Sequence, residues 1–174
     1  LVMLEEQVSN NKWLALHDEL TGLPNRRLFA DRLGSAIERS RRENGRLALF
    51  MLDLNGFKAI NDSLGHQAGD QVLCEMSNNL RESAHLFEGL ARFGGDEFTM
   101  VACDLTLERP VTFFEDVIRR SVERPILVAG QPMIFTASLG VSVYPDDGQD
   151  ASRLLHVADQ RMYHLKHRSS SPRL

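Results

Sequence analysis

The 174-residue chain has little cysteine, a single tryptophan and no excess of positive charge. Its two cysteines, Cys74 and Cys103, sit inside apolar patterns with no paired or metal-type spacing. Both are expected as buried free thiols. That excludes a disulfide-stapled secreted scaffold and fits a reducing, cytoplasmic compartment. Lys and Arg number 20 against 24 Asp and Glu, for a net charge of −4. A general nucleic-acid binder usually shows a basic excess, so that class is set aside. A small anionic substrate is not, because a local site can oppose the global charge. No apolar run is long enough to span a bilayer and no signal peptide is visible, so this stretch is expected to make no membrane contact itself. The six histidines (His17, His66, His85, His156, His164 and His167) form no metal-ligand spacing. A Gly-x-x-x-x-Gly-Lys-Ser/Thr loop is also absent, so any nucleotide must be held by another device.

What is present is ordinary for one globular domain with a real core: 43% hydrophobic and 25% charged residues. The chain opens at Leu1 rather than Met, which reads as a fragment of a longer protein whose missing part could carry a membrane anchor. Residues 1–17 read as a leader helix from an upstream domain, with Leu1, Leu4 and Val8 at helical or coiled-coil spacing. Trp13 is expected to pack within it. Residues 18–168 form the domain, and 169–174 a disordered tail. Within the domain, Asp18 to Arg27 is dense in turn and cap residues. A helix follows with Leu28, Phe29, Leu33, Ala36 and Ile37 on one face; Arg39, Arg41 and Arg42 read as its solvated side. Leu47 to Leu52 is continuously apolar, the mark of a strand buried on both faces, and it terminates in Asp53. A helix after Gly65 puts Ala68, Val72, Leu73, Met76 and Leu80 inward. Strands at 90–93 and 98–102 flank Gly94-Gly95. A helix over 111–122 buries Phe114, Val117, Ile118 and Val122. Strands follow at 125–128 and 133–144. Asp150 caps a last helix facing Ala151, Leu154, Leu155, Ala158, Met162 and Leu165 inward. The expected fold is α+β: a mostly antiparallel central sheet flanked by helices, of ferredoxin-like type.

Three features carry chemistry. Asp53 is a carboxylate at the end of a fully apolar strand, although aspartate also ends strands for purely structural reasons. Asp96 and Glu97 follow two glycines at a hairpin tip, where absent side chains let a ligand or another backbone approach. Adjacent carboxylates repel unless a cation sits between them, yet alone they read equally well as a solvated acidic turn. If the hairpin pairs beside the apolar strand, Asp53 and Asp96 converge. Oxygen-only ligation with open positions then suits Mg²⁺, and two such ions would activate a hydroxyl and neutralise a leaving pyrophosphate. The third feature is the run from Asp53 to Asp70. Its turn at Gly56, its backbone N–H groups and Lys58 would make a phosphate cradle. Asn61 and Asp70 would select guanine, the carboxylate accepting from N1–H and N2–H; a helix cap and a first-turn dipole partner are their structural alternatives. His66, nearby, reads as a structural hydrogen-bonder.

Arg92-Phe93-Gly94-Gly95-Asp96-Glu97-Phe98 matches the signature of GGDEF domains, the diguanylate cyclases. Asp18-Glu19-Leu20-Thr21-Gly22-Leu23-Pro24-Asn25-Arg26 resembles the family's opening motif, and the run from Asp53 to Asp70 its nucleotide segment. Ser138 to Ser142 with Tyr144-Pro145 is similar to its late strand, and Ala158-Asp159, Met162-Tyr163 and Lys166 to its last helix. The resemblance spans Asp18 to Lys166 and implies a nucleotidyl-cyclase palm. It implies that Asp53, the Leu54 carbonyl, Asp96 and Glu97 hold Mg²⁺, with Mn²⁺ an alternative. It implies catalytic roles for Asp96, Glu97 and a transition-state-stabilising Lys58. Phe57, Asn61 and Asp70 would contact the nucleoside, and Lys166 the triphosphate. The implied reaction joins two GTP into cyclic di-GMP across a homodimer. An upstream sensor domain and a downstream phosphodiesterase domain are the implied neighbours. A silent GTP-binding regulatory module is the alternative, and a cyclase of mixed base choice a third reading that Asp70 speaks against. Arg26 could add a dimer or product contact.

Two departures qualify the resemblance. Family members inhibited by their product often carry Arg-x-x-Asp where this chain has His85-Leu86-Phe87-Glu88, so the product brake is expected to be missing. An Arg that often lies four residues after the lysine is Ser170 here, with Arg168 a possible substitute, which puts triphosphate affinity in question.

Overall fold

The computed structural model describes residues 13–169, with side chains through 167. The leader positions Leu1, Leu4 and Val8, the Arg168 side chain and the tail from Ser170 lie outside the described residues. Trp13 is 44% exposed and stacks on His17, ring centroids 4.5 Å apart.

The elements are α1 (Arg26–Glu43), β1 (Leu47–Leu54), α2 (Phe57–Leu64), α3 (His66–Glu82), β2 (Gly89–Gly94), β3 (Glu97–Ala102), α4 (Val111–Val122), β4 (Ile126–Val128), β5 (Gln131–Met133), β6 (Ala137–Tyr144) and α5 (Ala151–Ser169). One four-stranded sheet runs β2-β3-β1-β6, every neighbour antiparallel. This is the expected α+β sandwich with ferredoxin-like connectivity: α3 and α4, which cross between strands, cover one face, and α1 and α5, before the first strand and after the last, cover the other.

The apolar run of β1 explains why the sheet is covered twice. All eight of its residues are buried. Successive side chains of a strand point to opposite faces. Ala48, Phe50, Leu52 and Leu54 therefore meet Val72, Met76 and Leu80 of α3 and Phe114 and Ile118 of α4. Leu47, Leu49 and Met51 meet Phe29, Leu33 and Ile37 of α1 and Leu154, Ala158 and Met162 of α5. Each large apolar side chain contributes about 1.5–3 kcal/mol on burial, so two filled faces stabilise the strand strongly. Asp53 shares the odd register of Leu49 and Met51, which places it on the α5 side.

Local chemistry sets the helix ends. The Asn25 carboxamide oxygen accepts from the N–H groups of Arg27 and Leu28 and starts α1. Asp150 accepts from the Arg153 N–H at 2.8 Å and starts α5, as the sequence leads one to expect. Arg161 then ties α5 down, donating to both oxygens of Asp147 and to the Val141 carbonyl. At Gly140 the helix rests directly on β6. A Cβ there would stand 2.0 Å from the Ala158 carbonyl oxygen and 2.4 Å from the Met162 nitrogen.

Four sequence expectations change. The strand expected over 133–144 is two strands. β5 pairs only with β4 in a separate hairpin, and residues 134–136 carry no strand structure. No Gly or Pro marks that break, so apolar continuity hid it. Leu165 is 45% exposed, because inward packing of α5 ends at Met162. Cys74 is half-buried, with its thiol 3.4 Å from the Leu20 carbonyl; Cys103 is buried, and burial pushes its thiol up to about 11. Arg39 and Arg41 are not merely solvated: Arg39 donates to Glu88 at 2.6 Å, and Arg41 to Glu38 and the Gln149 carbonyl.

Candidate active site at the end of the central strand

Asp53 is the penultimate residue of β1 and is 4% exposed. Its Cα partners are Glu97 on β3 and Ser138 on β6. The β2–β3 hairpin therefore delivers Glu97 directly beside it. Gly94 (φ +145°) and Gly95 (φ +51°) turn the chain at the tip. Phe93 is the extra residue of a bulge between Arg92 and Gly94. The backbone carbonyl of Asp96 accepts the Leu54 N–H at 3.3 Å, so hairpin tip and strand end are hydrogen-bonded to each other.

The carboxylates feel one another. Burial, then the Asp53 carboxylate, push Asp96 above the ordinary aspartate range. Burial, then Asp53, Asp159 and Asp96, do the same for Glu97. The counter-charge comes from α5. Lys166 Nζ donates to Asp53 Oδ1 at 2.7 Å and Oδ2 at 2.8 Å. Its hydrogen bond to Asp53, with the added charges of Asp53, Asp96 and Glu97, outweighs partial burial and holds the ammonium above its usual pKa. Lys166 lies one helical turn beyond Met162, so the close seat at Gly140 sets its reach.

The hairpin is braced from behind. Arg92 donates through Nε and Nη2 to the Gly95 carbonyl (3.1 and 2.8 Å) and through Nη1 to both oxygens of Asp18 (2.9 and 3.0 Å). Its own N–H reaches the Pro24 carbonyl at 3.0 Å. The ion pair is well covered, with side-chain exposures of 12% and 21%. Thr21 donates to Asp18 through N–H and Oγ1. Burial acts to raise the Asp18 carboxyl, and the Thr21 and Arg92 hydrogen bonds outweigh it, leaving the pKa below the ordinary range. On the other side, Asn55 anchors the turn after β1: its N–H donates to the Thr136 carbonyl, its amide to Thr136 Oγ1, and Ser138 Oγ donates to its Oδ1. Sequence reading assigned no site role to Arg92, Asn55, Thr136 or Ser138. The Asp18-x-x-Thr21 spacing signals a local turn, but its partner 74 residues away does not show in the sequence.

The α2–α3 segment forms an elbow at the same strand end. Lys58 is exposed in the first turn of α2, Phe57 beside it is buried, and Asp70 is exposed in α3. Asn61 Oδ1 is buried without a hydrogen-bond partner among the described residues. Gly69 makes room for it, since a Cβ there would fall 1.9 Å from that oxygen. His66 is exposed at the start of α3. The structure thus gathers Asp53, Asp96, Glu97 and Lys166 into one cluster. Phe57, Lys58, Asn61 and Asp70 make a second group on the α2–α3 elbow, joined to the first by Asn55-Gly56.

Among the described residues no three His, Cys, Asp or Glu side chains form a ready metal cage. The donor chemistry nevertheless suits a hard cation. Asp53, Asp96 and Glu97 offer only oxygen, sit partly out of water, and repel each other, a strain that a divalent ion would relieve.

A family model described as "Diguanylate cyclase, GGDEF domain" matches residues 15–172. The chain belongs to the GGDEF family. This GGDEF domain is 40% identical over 153 residues to the bifunctional diguanylate cyclase/cyclic di-GMP phosphodiesterase MucR of Pseudomonas aeruginosa, covering 88% of this chain and 22% of MucR. The chain spans about a fifth to two fifths of the length of the curated relatives it matches. Among solved structures, a sensory box/GGDEF family protein from Caulobacter crescentus superposes with a TM-score of 0.79 at 37% identity, covering 88% of this chain and 99% of that one. The GGDEF domain of TpbB from P. aeruginosa superposes with a TM-score of 0.80 at 36% identity, covering 87% and 89%. The expected family and fold class both hold. No helix among the described residues is long and apolar enough to cross a membrane.

Proposed function

We propose that this GGDEF domain is a diguanylate cyclase that condenses two GTP into cyclic di-GMP and two pyrophosphates. The carrying observation is the buried Asp53 carboxylate with Asp96, Glu97 and Lys166 gathered around it at the end of β1. The Asp53, Asp96 and Glu97 carboxylates and the Leu54 carbonyl would hold Mg²⁺ or Mn²⁺. Bound there, the ion would make the attacking hydroxyl more acidic and neutralise charge on the departing pyrophosphate.

The chain's own residues do the rest. Phosphoryl transfer is governed by positioning and charge neutralisation. Asn61 Oδ1 offers a buried acceptor lacking a donor, which a nucleoside in the elbow would satisfy. Asp70 would accept from guanine N1–H and N2–H, and Phe57 would wall the base. Lys58 and Lys166 would balance triphosphate charge. Arg92 and Asn55 hold the two sides of the site in register. Each 3′-oxygen bonds to the α-phosphorus of the facing nucleotide while the bond to pyrophosphate breaks, so each subunit of a homodimer supplies half the reaction. The hydroxyl proton would pass to Asp96 or Glu97 or to solvent.

A second reading is a silent GTP-binding regulatory module in a longer protein with sensor and phosphodiesterase domains. It is supported by the 37% identity to NbdA of Pseudomonas aeruginosa, of which the chain covers 21% and whose name gives only a cyclic di-GMP phosphodiesterase. The intact Gly94-Gly95-Asp96-Glu97-Phe98 sequence favours catalysis. The deciding experiment is chromatographic identification of products after incubation with GTP and Mg²⁺. Cyclic di-GMP is expected; GTP binding without any cyclic dinucleotide at high protein concentration would favour the silent module.

The missing product brake also finds support. Glu88, at the position of the expected aspartate, is held by Arg39 at 2.6 Å, and His85 contacts the Glu82 carbonyl. Neither can supply a bidentate guanidinium to product phosphates.

A further inference from the structure

Lys166 takes both oxygens of Asp53, at 2.7 and 2.8 Å. These are the oxygens a divalent ion would need. Asp53 is 4% exposed, so it has little water to exchange with and only a narrow approach. The Lys166 side chain is 43% exposed and sits on the far end of α5, beyond the Gly140 seat. A lysine ammonium is a compact charge on a flexible four-carbon stem and can leave one oxygen pair for another. A bound triphosphate would offer it such oxygens within the same site.

We propose that Lys166 is the resident cation of Asp53 in the nucleotide-free domain and is exchanged for a divalent ion only when nucleotide arrives. The metal alone competes with Lys166 for Asp53. The nucleotide draws Lys166 onto its phosphates and opens Asp53 to the ion. Metal and GTP therefore bind cooperatively, and the empty site does not collect metal. This rests on the reading of Asp53 as a metal ligand, and the test separates the two.

The readout is Mn²⁺ affinity measured by electron paramagnetic resonance on the full chain, with and without 3′-deoxy-GTP, which lacks the attacking hydroxyl. Lys166→Met is expected to bind Mn²⁺ alone about tenfold more tightly than the wild type, the order expected for removing a cation competing at a largely buried carboxylate. With 3′-deoxy-GTP the difference is expected to vanish or reverse. Lys166→Arg, which keeps the charge, and Lys58→Met, which removes a charge elsewhere, are expected to bind Mn²⁺ alone as the wild type does. Unfolding temperatures of all variants check that they fold. Equal or weaker Mn²⁺ binding by folded Lys166→Met without nucleotide overturns the exchange while leaving the metal site standing. No Mn²⁺ binding by any form, even with 3′-deoxy-GTP, overturns the metal site and the exchange together.

Discussion

Asp96 contributes its backbone carbonyl to the hairpin's bond with Leu54 and its side chain to the acidic cluster. The two roles are separable. Asp96→Ala should keep the backbone bond and fold with a near-normal unfolding temperature, while turnover falls by roughly a thousandfold or more. A normal rate in this variant would refute the site. Asp70 tests base choice instead. Replacing its carboxylate by the Asp70→Ser hydroxyl removes a charged acceptor worth roughly tenfold or more in discrimination. The ratio of kcat/KM for GTP over ATP should fall accordingly; an unchanged ratio would remove Asp70 from guanine recognition. Asn61 shows what residue-level reading can reach. Its polar character in a packing-rich segment was visible, but that Oδ1 is buried and lacks a donor depends on Gly69 across the elbow.

Between elements, two joints hold the site together. At the first, α5 lies on β6 with no room for a side chain at Gly140. The clash in Gly140→Ala is with backbone atoms of Ala158 and Met162, which cannot swing aside. A cost of about 1–3 kcal/mol is expected, read as a lowered unfolding temperature. Gly34→Ala, with nothing within 4 Å of the new Cβ, should be neutral or stabilising by contrast. At the second joint, Arg92 links the β2–β3 hairpin to the Asp18 turn. Because the Asp18 pKa lies below its ordinary value in the fold, its stabilising effect is present above the ordinary carboxylate range and is lost as pH falls through the folded pKa. Asp18→Asn should therefore destabilise most at about pH 7, and the difference from wild type should shrink toward about pH 3. Urea unfolding at the two pH values decides it, and a constant difference would show that the Asp18 charge is immaterial. Asp96 and Glu97 act in the opposite sense: with raised pKa values, their effect on folding becomes less favourable as pH rises.

In the proposed reaction one subunit would place one 3′-hydroxyl but not the second α-phosphorus, so the rate per subunit should rise with protein concentration until dimers saturate. A rate per subunit independent of concentration in the dilute range would argue against a transient dimer. Progress curves should also stay linear as cyclic di-GMP accumulates, because Glu88 is engaged by Arg39 and no Arg-x-x-Asp is present. Early curvature relieved by removing product would show a brake elsewhere.

The sequence alone determined the layered α+β fold, since period-2 and period-3.6 apolar patterns state which faces must be buried, and the continuously apolar run from Leu47 to Leu52 requires cover on both sides. It also named the acidic hairpin and Asp53, because carboxylates at the end of apolar strands are conspicuous. The tertiary structure decided who meets whom. Lys166 on Asp53 is a contact across 113 residues, and Arg92 on Asp18 one across 74. Such pairings depend on sheet register and on the seating of α5 at Gly140, neither of which leaves a local periodic trace. The break between β5 and β6 was invisible for a related reason: apolar residues continue through it, and only pairing partners distinguish a strand from an extended link.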